Sequence, residues 1–161
     1  KRRLEMLGEV ILPQGSVKVL DDYGHHPREI EAAARAIRNA FPNRRLVLIF
    51  QAHRYTRTQD LLDPFVEVLA RVADELLLLP IYAAHEAPIQ GINQFFLAER
   101  ISQKGKQTVL VEDATLSQTL HQRLRKDDIV LFQGAGNIGQ IAKDFYTTWM
   151  NLEENAQRQD P

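Results

Sequence analysis

The segment Leu46-Val47-Leu48-Ile49-Phe50 has no polar residue at any position. Successive strand residues point to opposite faces, so a strand with this composition has to be covered on both sides. Helices above and below a parallel sheet supply that cover. The rest of the chain repeats the theme. Glu75-Leu76-Leu77-Leu78-Leu79, Thr108-Val109-Leu110-Val111 and Ile129-Val130-Leu131-Phe132 are further short apolar runs. Between them, apolar residues recur at helical spacing. One set is Ile30, Ala34, Ile37 and Phe41; a second is Leu61, Leu62, Phe65, Val68 and Leu69. A third helix is expected near Phe95–Ile101, a fourth carries Leu116, Leu120 and Leu124, and the last holds Ile138, Ile141, Phe145 and Trp149. Pro27 suits the first turn of the first helix, where its missing N–H costs nothing, and Pro42-Asn43 stops that helix.

Two β-type runs open the chain, Val10-Ile11-Leu12 and Val17-Lys18-Val19-Leu20, and the Pro13-Gln14-Gly15-Ser16 between them reads as a hairpin turn. The expected fold is α/β: a doubly wound, mostly parallel, Rossmann-like sheet with an N-terminal β-hairpin. The 161 residues fit one domain, taken as residues 1–150, with a polar C-terminal tail over 151–161 that should fray. A net charge of -1 argues against a nucleic-acid surface. No apolar run approaches the roughly 18 residues needed to span a bilayer, so no membrane partner is expected. With no cysteine, disulfides and thiolate metal sites are excluded, and a reducing compartment such as the cytoplasm fits. A chain that opens Lys1-Arg2-Arg3 without Met reads as a piece of a longer protein.

Open α/β sheets bind ligands beyond the carboxyl ends of their strands. The segments that follow the predicted strands are rich in chemistry: Asp21-Asp22-Tyr23-Gly24-His25-His26-Pro27, Gln51-Ala52-His53-Arg54-Tyr55-Thr56-Arg57-Thr58, Pro80-Ile81-Tyr82-Ala83-Ala84-His85-Glu86 and Gln133-Gly134-Ala135-Gly136-Asn137-Ile138-Gly139. The segments that lead into strands are plain, as in Pro42-Asn43-Arg44 and Gly105-Lys106-Gln107. Four of the five histidines fall in the first group; the other, His121, reads as a surface residue of a helix. This asymmetry points to one site at one edge of the sheet.

Arg54 and Arg57 stand three apart at a predicted helix start, on one face if the helix has begun. Two guanidiniums there fork well onto a carboxylate or phosphate, and positive charge at that end of a helix calls for a counter-ion. Asp21-Asp22 is equally readable as turn chemistry. Adjacent His25 and His26 raise the thought of a metal, but neighbouring side chains point apart and no ligand set has the spacing of a helical metal motif, so no metal site is assigned. Gly134-Ala135-Gly136-Asn137-Ile138-Gly139 matches G-x-G-x-x-G after a strand. The dinucleotide fingerprint also needs a following strand with an acidic residue, whereas only a helix and a tail come next. A tight turn and close helix-on-sheet packing explain these glycines better. No G-x-x-x-x-G-K-[ST] phosphate loop is present.

Taken together, Arg2-Arg3-Leu4, Asp21 through Pro27, Gln51 through Arg57, Tyr82-Ala83-Ala84-His85-Glu86-Ala87-Pro88-Ile89 and Gln133 through Gly139 resemble, in order and from end to end, the C-terminal domain of the Mur ligases. The resemblance implies an ATP-dependent ligase of peptidoglycan precursor synthesis with three domains. The first holds UDP-N-acetylmuramate; the central one holds the phosphate loop, ATP phosphates and Mg²⁺; this one closes over ATP and brings L-alanine. Carried over by motif, Asp22 and His25 would face the ribose and adenine, and Arg3 would reach ATP from the interdomain link. Tyr23, His53, Arg54 and Arg57 would surround the amino acid, with His53 orienting the amine or accepting its proton. The sequence departs from the family at His85, where Gly is usual, at Gly91-Ile92-Asn93-Gln94, where Gly-Ala-Asp-Ser is usual, and at Leu4, where Phe is usual. Three alternatives stay open at this stage. They are a recycling ligase that attaches an intact tripeptide, a non-catalytic nucleotide- or anion-binding module, and a Rossmann oxidoreductase.

Overall fold

The computed structural model describes residues 3–159, so Arg2 of the N-terminal resemblance and the last two residues of the tail lie outside the described residues. The element order is β1 (Glu5–Leu12), β2 (Gly15–Asp22), α1 (Pro27–Ala40), β3 (Leu46–Phe50), α2 (Tyr55–Asp60), α3 (Leu62–Val72), β4 (Glu75–Leu78), α4 (Gln94–Ser102), β5 (Thr108–Leu110), α5 (Asp113–Arg123), β6 (Ile129–Gln133) and α6 (Ile138–Gln159). One six-stranded sheet has the order β1-β2-β6-β3-β4-β5. β1 and β2 form an antiparallel hairpin, and the remaining pairings are parallel. The expected doubly wound sheet with a leading hairpin is therefore present.

The strands divide one core into two by simple alternation. Leu46, Leu48 and Phe50 of β3, with Ile129 and Leu131 of β6, pack under α1, α3 and α4. Val47, Ile49, Val130 and Phe132 face the other way, onto α5 and α6. All ten side chains of β3 and β6 are buried, which is why neither run tolerates a polar position outside its last residue.

The hairpin strands extend further than the apolar runs indicate. β1 begins at Glu5 because its partner supplies hydrogen bonds even where its side chains are exposed; a bulge falls between Met6 and Gly8, and the bare Cα of Gly8 leaves room for Tyr146 of α6. The second predicted helix is in fact two, broken at Leu61, whose backbone leaves the helical region. Residues 151–159, expected to fray, continue α6 as helix out to Gln159. Residues 152–159 contain no Gly or Pro to stop it, and polarity alone does not end a helix.

α1 starts as its sequence indicates. His26 is the N-cap, its ring accepts from Arg28 N, and Glu29 reaches back to the cap backbone to complete a capping box. This cap fixes where the chain turns after Asp22, and so where His25 stands.

Candidate functional site

β2, β6, β3 and β4 are consecutive in the sheet, so the loops at their carboxyl ends form one rim. Asp22, at the end of β2, is only 5% exposed. Its Oδ2 accepts from Gly24 N at 2.9 Å and from Gln133 Nε2 at 2.8 Å, while Oδ1 accepts from Leu4 N at 2.9 Å. Burying this carboxylate is tolerable because each oxygen is hydrogen-bonded. One side chain thereby ties together the β2 loop, the end of β6 and the segment leading into β1.

A cavity of about 420 Å³ opens beside it, lined by Arg3, Asp22, Tyr23, Gly24, His25 and Glu29 among others. That volume lies within the usual range for small-ligand pockets. Arg3, Asp22, His25 and Tyr23 thus share one wall system. Glu29 Oε1 accepts from the backbone N–H of His25 (3.3 Å) and His26 (3.1 Å). Burial pushes the Glu29 carboxyl up, but those two backbone bonds and the His25 and Arg3 charges outweigh it, and the net shift is downward. Glu29 thus stays ionised at the cavity edge.

Next to the cavity lies a second cluster, reached through His25, whose ring is 6.0 Å from that of His53. His53, in the loop after β3, pairs with Tyr82 in an isolated parallel bridge and stacks on its ring, with ring centres 5.6 Å apart and planes at 17°. Arg57 Nη1 lies 3.0 Å from His53 Nδ1. Because a guanidinium only donates, His53 Nδ1 must accept, and the remaining hydrogen sits on Nε2. Burial lowers the His53 pKa first, followed by the charges of Arg57, His25 and Arg54, with Glu86 opposing. The imidazole is neutral at pH 7.

Arg54 lies elsewhere than the spacing argument put it. It precedes α2 with φ 72° and is exposed, so it does not share a helical face with Arg57. The first N–H groups of α2 are also not open to a ligand: Tyr55 N and Thr56 N donate to Glu86 at 2.7 and 3.2 Å. The counter-ion that the arginines called for at this helix start is therefore internal. Sequence reading missed Glu86, Tyr82, Gln51 and Gln133; their shared signal was position after a predicted strand.

The glycine motif packs as expected. A Cβ on Gly134 would meet Gln51 O at 2.7 Å, and one on Gly136 would meet Tyr82 Cγ at 2.5 Å. The glycines let the start of α6 sit against the β3 loop and the Tyr82 ring. Gln51 Nε2 donates to Asn137 Oδ1 at 2.7 Å, closing that contact. Among the described residues, no group of three or more His, Asp or Glu is placed to hold a metal ion. No helix of the described residues is long and apolar enough to cross a membrane.

A doubly wound sheet with a cavity and an arginine–imidazole pair on its carboxyl rim defines an α/β domain whose candidate site lies at that rim. The model of the family "Mur ligase, glutamate ligase domain" matches residues 2–136. The chain belongs to that family. It is 46% identical over 142 residues to UDP-N-acetylmuramate–L-alanine ligase of Psychrobacter arcticus, and 48% identical over 141 residues to that of Legionella pneumophila. Each alignment takes in 88% of this chain but only 29% and 30% of the relative, so the chain spans about 30% of the length of these curated relatives. Among solved structures, a UDP-N-acetylmuramate–alanine ligase of Thermotoga maritima superposes with a TM-score of 0.71 at 24% identity, over 93% of this chain and 30% of that one. A murein peptide ligase of Psychrobacter arcticus gives 0.67 at 18% identity, over 92% and 30%. These two structures share the fold.

Proposed function

We propose that this chain is the C-terminal, amino-acid-receiving domain of an ATP-dependent ligase joining L-alanine to UDP-N-acetylmuramate in peptidoglycan precursor synthesis. The observation that carries the reading is the Arg57–His53 pair set beside the cavity of Arg3, Asp22 and His25. Identity of 46–48% to ligases of that name supports the substrates. ATP phosphates and Mg²⁺ fall to a phosphate-loop domain elsewhere in the longer protein, and UDP-N-acetylmuramate to another. Such an enzyme works in the cytoplasm, where ATP is made.

In the reaction, the sugar's lactyl carboxylate attacks the γ-phosphorus of ATP and ADP leaves. The neutral alanine amine then attacks the acyl carbon, inorganic phosphate leaves, and the C–N bond forms. This domain contributes position. Holding amine and acyl phosphate at near-attack distance lowers the barrier by roughly 7–11 kcal/mol in well-oriented systems. Closure over ATP keeps water from the acyl phosphate.

Arg57 takes the alanine carboxylate, Arg54 approaches it from its exposed position ahead of α2 and not from the same helical face, and Tyr23 packs beside its small side chain. His53 offers an N–H at Nε2, a donor suited to a carboxylate oxygen. Its Nδ1 lone pair is occupied by Arg57, so we assign His53 the orienting role and not that of proton acceptor. Asp22 and His25 meet the nucleotide from the cavity wall, and Arg3 reaches it from the segment leading into β1. In the full-length enzyme, Arg57→Ala should raise the KM for L-alanine far more than that for ATP. Equal effects on both would remove the carboxylate role. Assaying free L-alanine against the tripeptide separates the recycling activity.

A further inference from the structure

α2 begins without a side-chain cap from its own N-cap residue: the Arg54 side chain has no acceptor to offer, and the residue sits at φ 72°. The cap comes from thirty residues away. Glu86 Oε1 accepts from Tyr55 N and Thr56 N, and Oε2 accepts from the Thr56 hydroxyl at 2.5 Å. The Thr56 hydroxyl bond is the main reason the Glu86 carboxyl is held below its ordinary range, with burial opposing and the backbone bonds and Arg54 adding to it. Glu86 reaches α2 because the two loops are zipped together. Tyr82 N donates to Ala52 O and Arg54 N to Tyr82 O, both at 2.8 Å. A tight turn then folds the chain back, with Glu86 N donating to Ala83 O at 3.0 Å and with Ala84 (φ 51°) and His85 (φ 70°) both in the left-handed region.

Arg57 rides on the first turn of this helix, and its guanidinium meets His53 on the strand side. A six-residue helix has too few internal hydrogen bonds to hold its own start. We propose that Glu86 is a positioning residue for the amino-acid site: by capping α2 from the β4 loop, it holds Arg57 in register with His53. This rests on the assignment of that pair to the substrate carboxylate.

The test uses the full-length ligase carrying this domain. Glu86→Ala should raise the KM for L-alanine about tenfold, the scale of a lost helix cap, with the KM for ATP unchanged within about twofold. Glu86→Gln keeps an oxygen for the two backbone donors and should restore most of the loss. Thr56→Val, which removes one bond to Glu86 and no charge, should give a smaller loss of the same kind. If instead Glu86→Gln is as damaging as Glu86→Ala while Thr56→Val is silent, Glu86 acts by its charge on the substrate and the positioning role is wrong. Hydrogen exchange gives a readout apart from activity: Glu86→Ala should speed exchange in the segment 53–58, and unchanged exchange there would overturn the proposal. A wild-type enzyme that releases no phosphate in response to L-alanine would sink the functional reading alone, leaving the exchange experiment to judge the cap.

Discussion

His53 is held by its neighbours in a single useful state. Partial burial disfavours its charged form, and the Arg57 guanidinium both occupies Nδ1 and adds positive charge. The lowered pKa means the ring stays neutral on the acid side of 6.5. Its contribution to stability is complete above that value and is lost as pH falls through the folded pKa. Accordingly, the acid limb of L-alanine use in the full-length enzyme should lie below pH 6.5, and Arg57→Ala should move it upward; a pH profile of KM for both forms checks this. Gly136 is a second sensitive residue. In Gly136→Ala the new methyl would drive into the Tyr82 ring, on which His53 stacks. Overpacking of this kind costs about 1–3 kcal/mol, visible as a lower Tm together with a raised KM for L-alanine. The motif residues themselves were legible in the sequence, since Asp22, His25, His53 and Arg57 do stand on one rim. Their partners were not. Gln133 bonds Asp22 and Asn137 bonds Gln51 across large separations in sequence, and nothing local in either residue announces its partner.

At the level of elements, apolar periodicity located the strands and every helix except α2, which it merged with α3, but not their ends. The break between α2 and α3 was hidden because Leu61 and Leu62 both read as apolar helix residues, while the break is set by backbone conformation at Leu61. The length of β1 was hidden because an edge strand is defined by its partner's hydrogen bonds more than by its own side chains. The start of α1 was legible through Pro27, but not the capping box that Glu29 completes. The same glutamate accepts from both His25 N and His26 N, so helix capping and cavity wall are one arrangement. Glu29→Ala should lower stability by about 1 kcal/mol, read from denaturant unfolding, as the loss of a capping box does.

Over the whole molecule the two edges of the sheet are specialised. The carboxyl edge carries the cavity and the arginine–imidazole pair. The opposite edge is an ion-pair network. Arg45 donates to Asp128 through Nε (2.9 Å) and Nη2 (2.7 Å) and to Glu75 through Nη1 (2.8 Å), and Arg123 also bonds Glu75. Asp128 is 1% exposed, so removing Arg45 leaves a buried charge without its partner. Arg45→Ala should cost roughly 3–5 kcal/mol of stability and leave the KM for L-alanine unchanged, as measured by unfolding and by kinetics of the surviving enzyme. Loops at this edge looked plain in sequence because ordinary arginines and acids gain meaning only once β3, β4, β6 and α5 bring them together.

Leu4 and the cavity share Asp22: one oxygen of its carboxylate holds the backbone N–H of the residue leading into β1, and the same side chain lines the cavity. The first described residues of the chain and the cavity therefore depend on one carboxylate. Displacing Leu4 would disturb a cavity wall, and filling the cavity would load the carboxylate that anchors the start of β1.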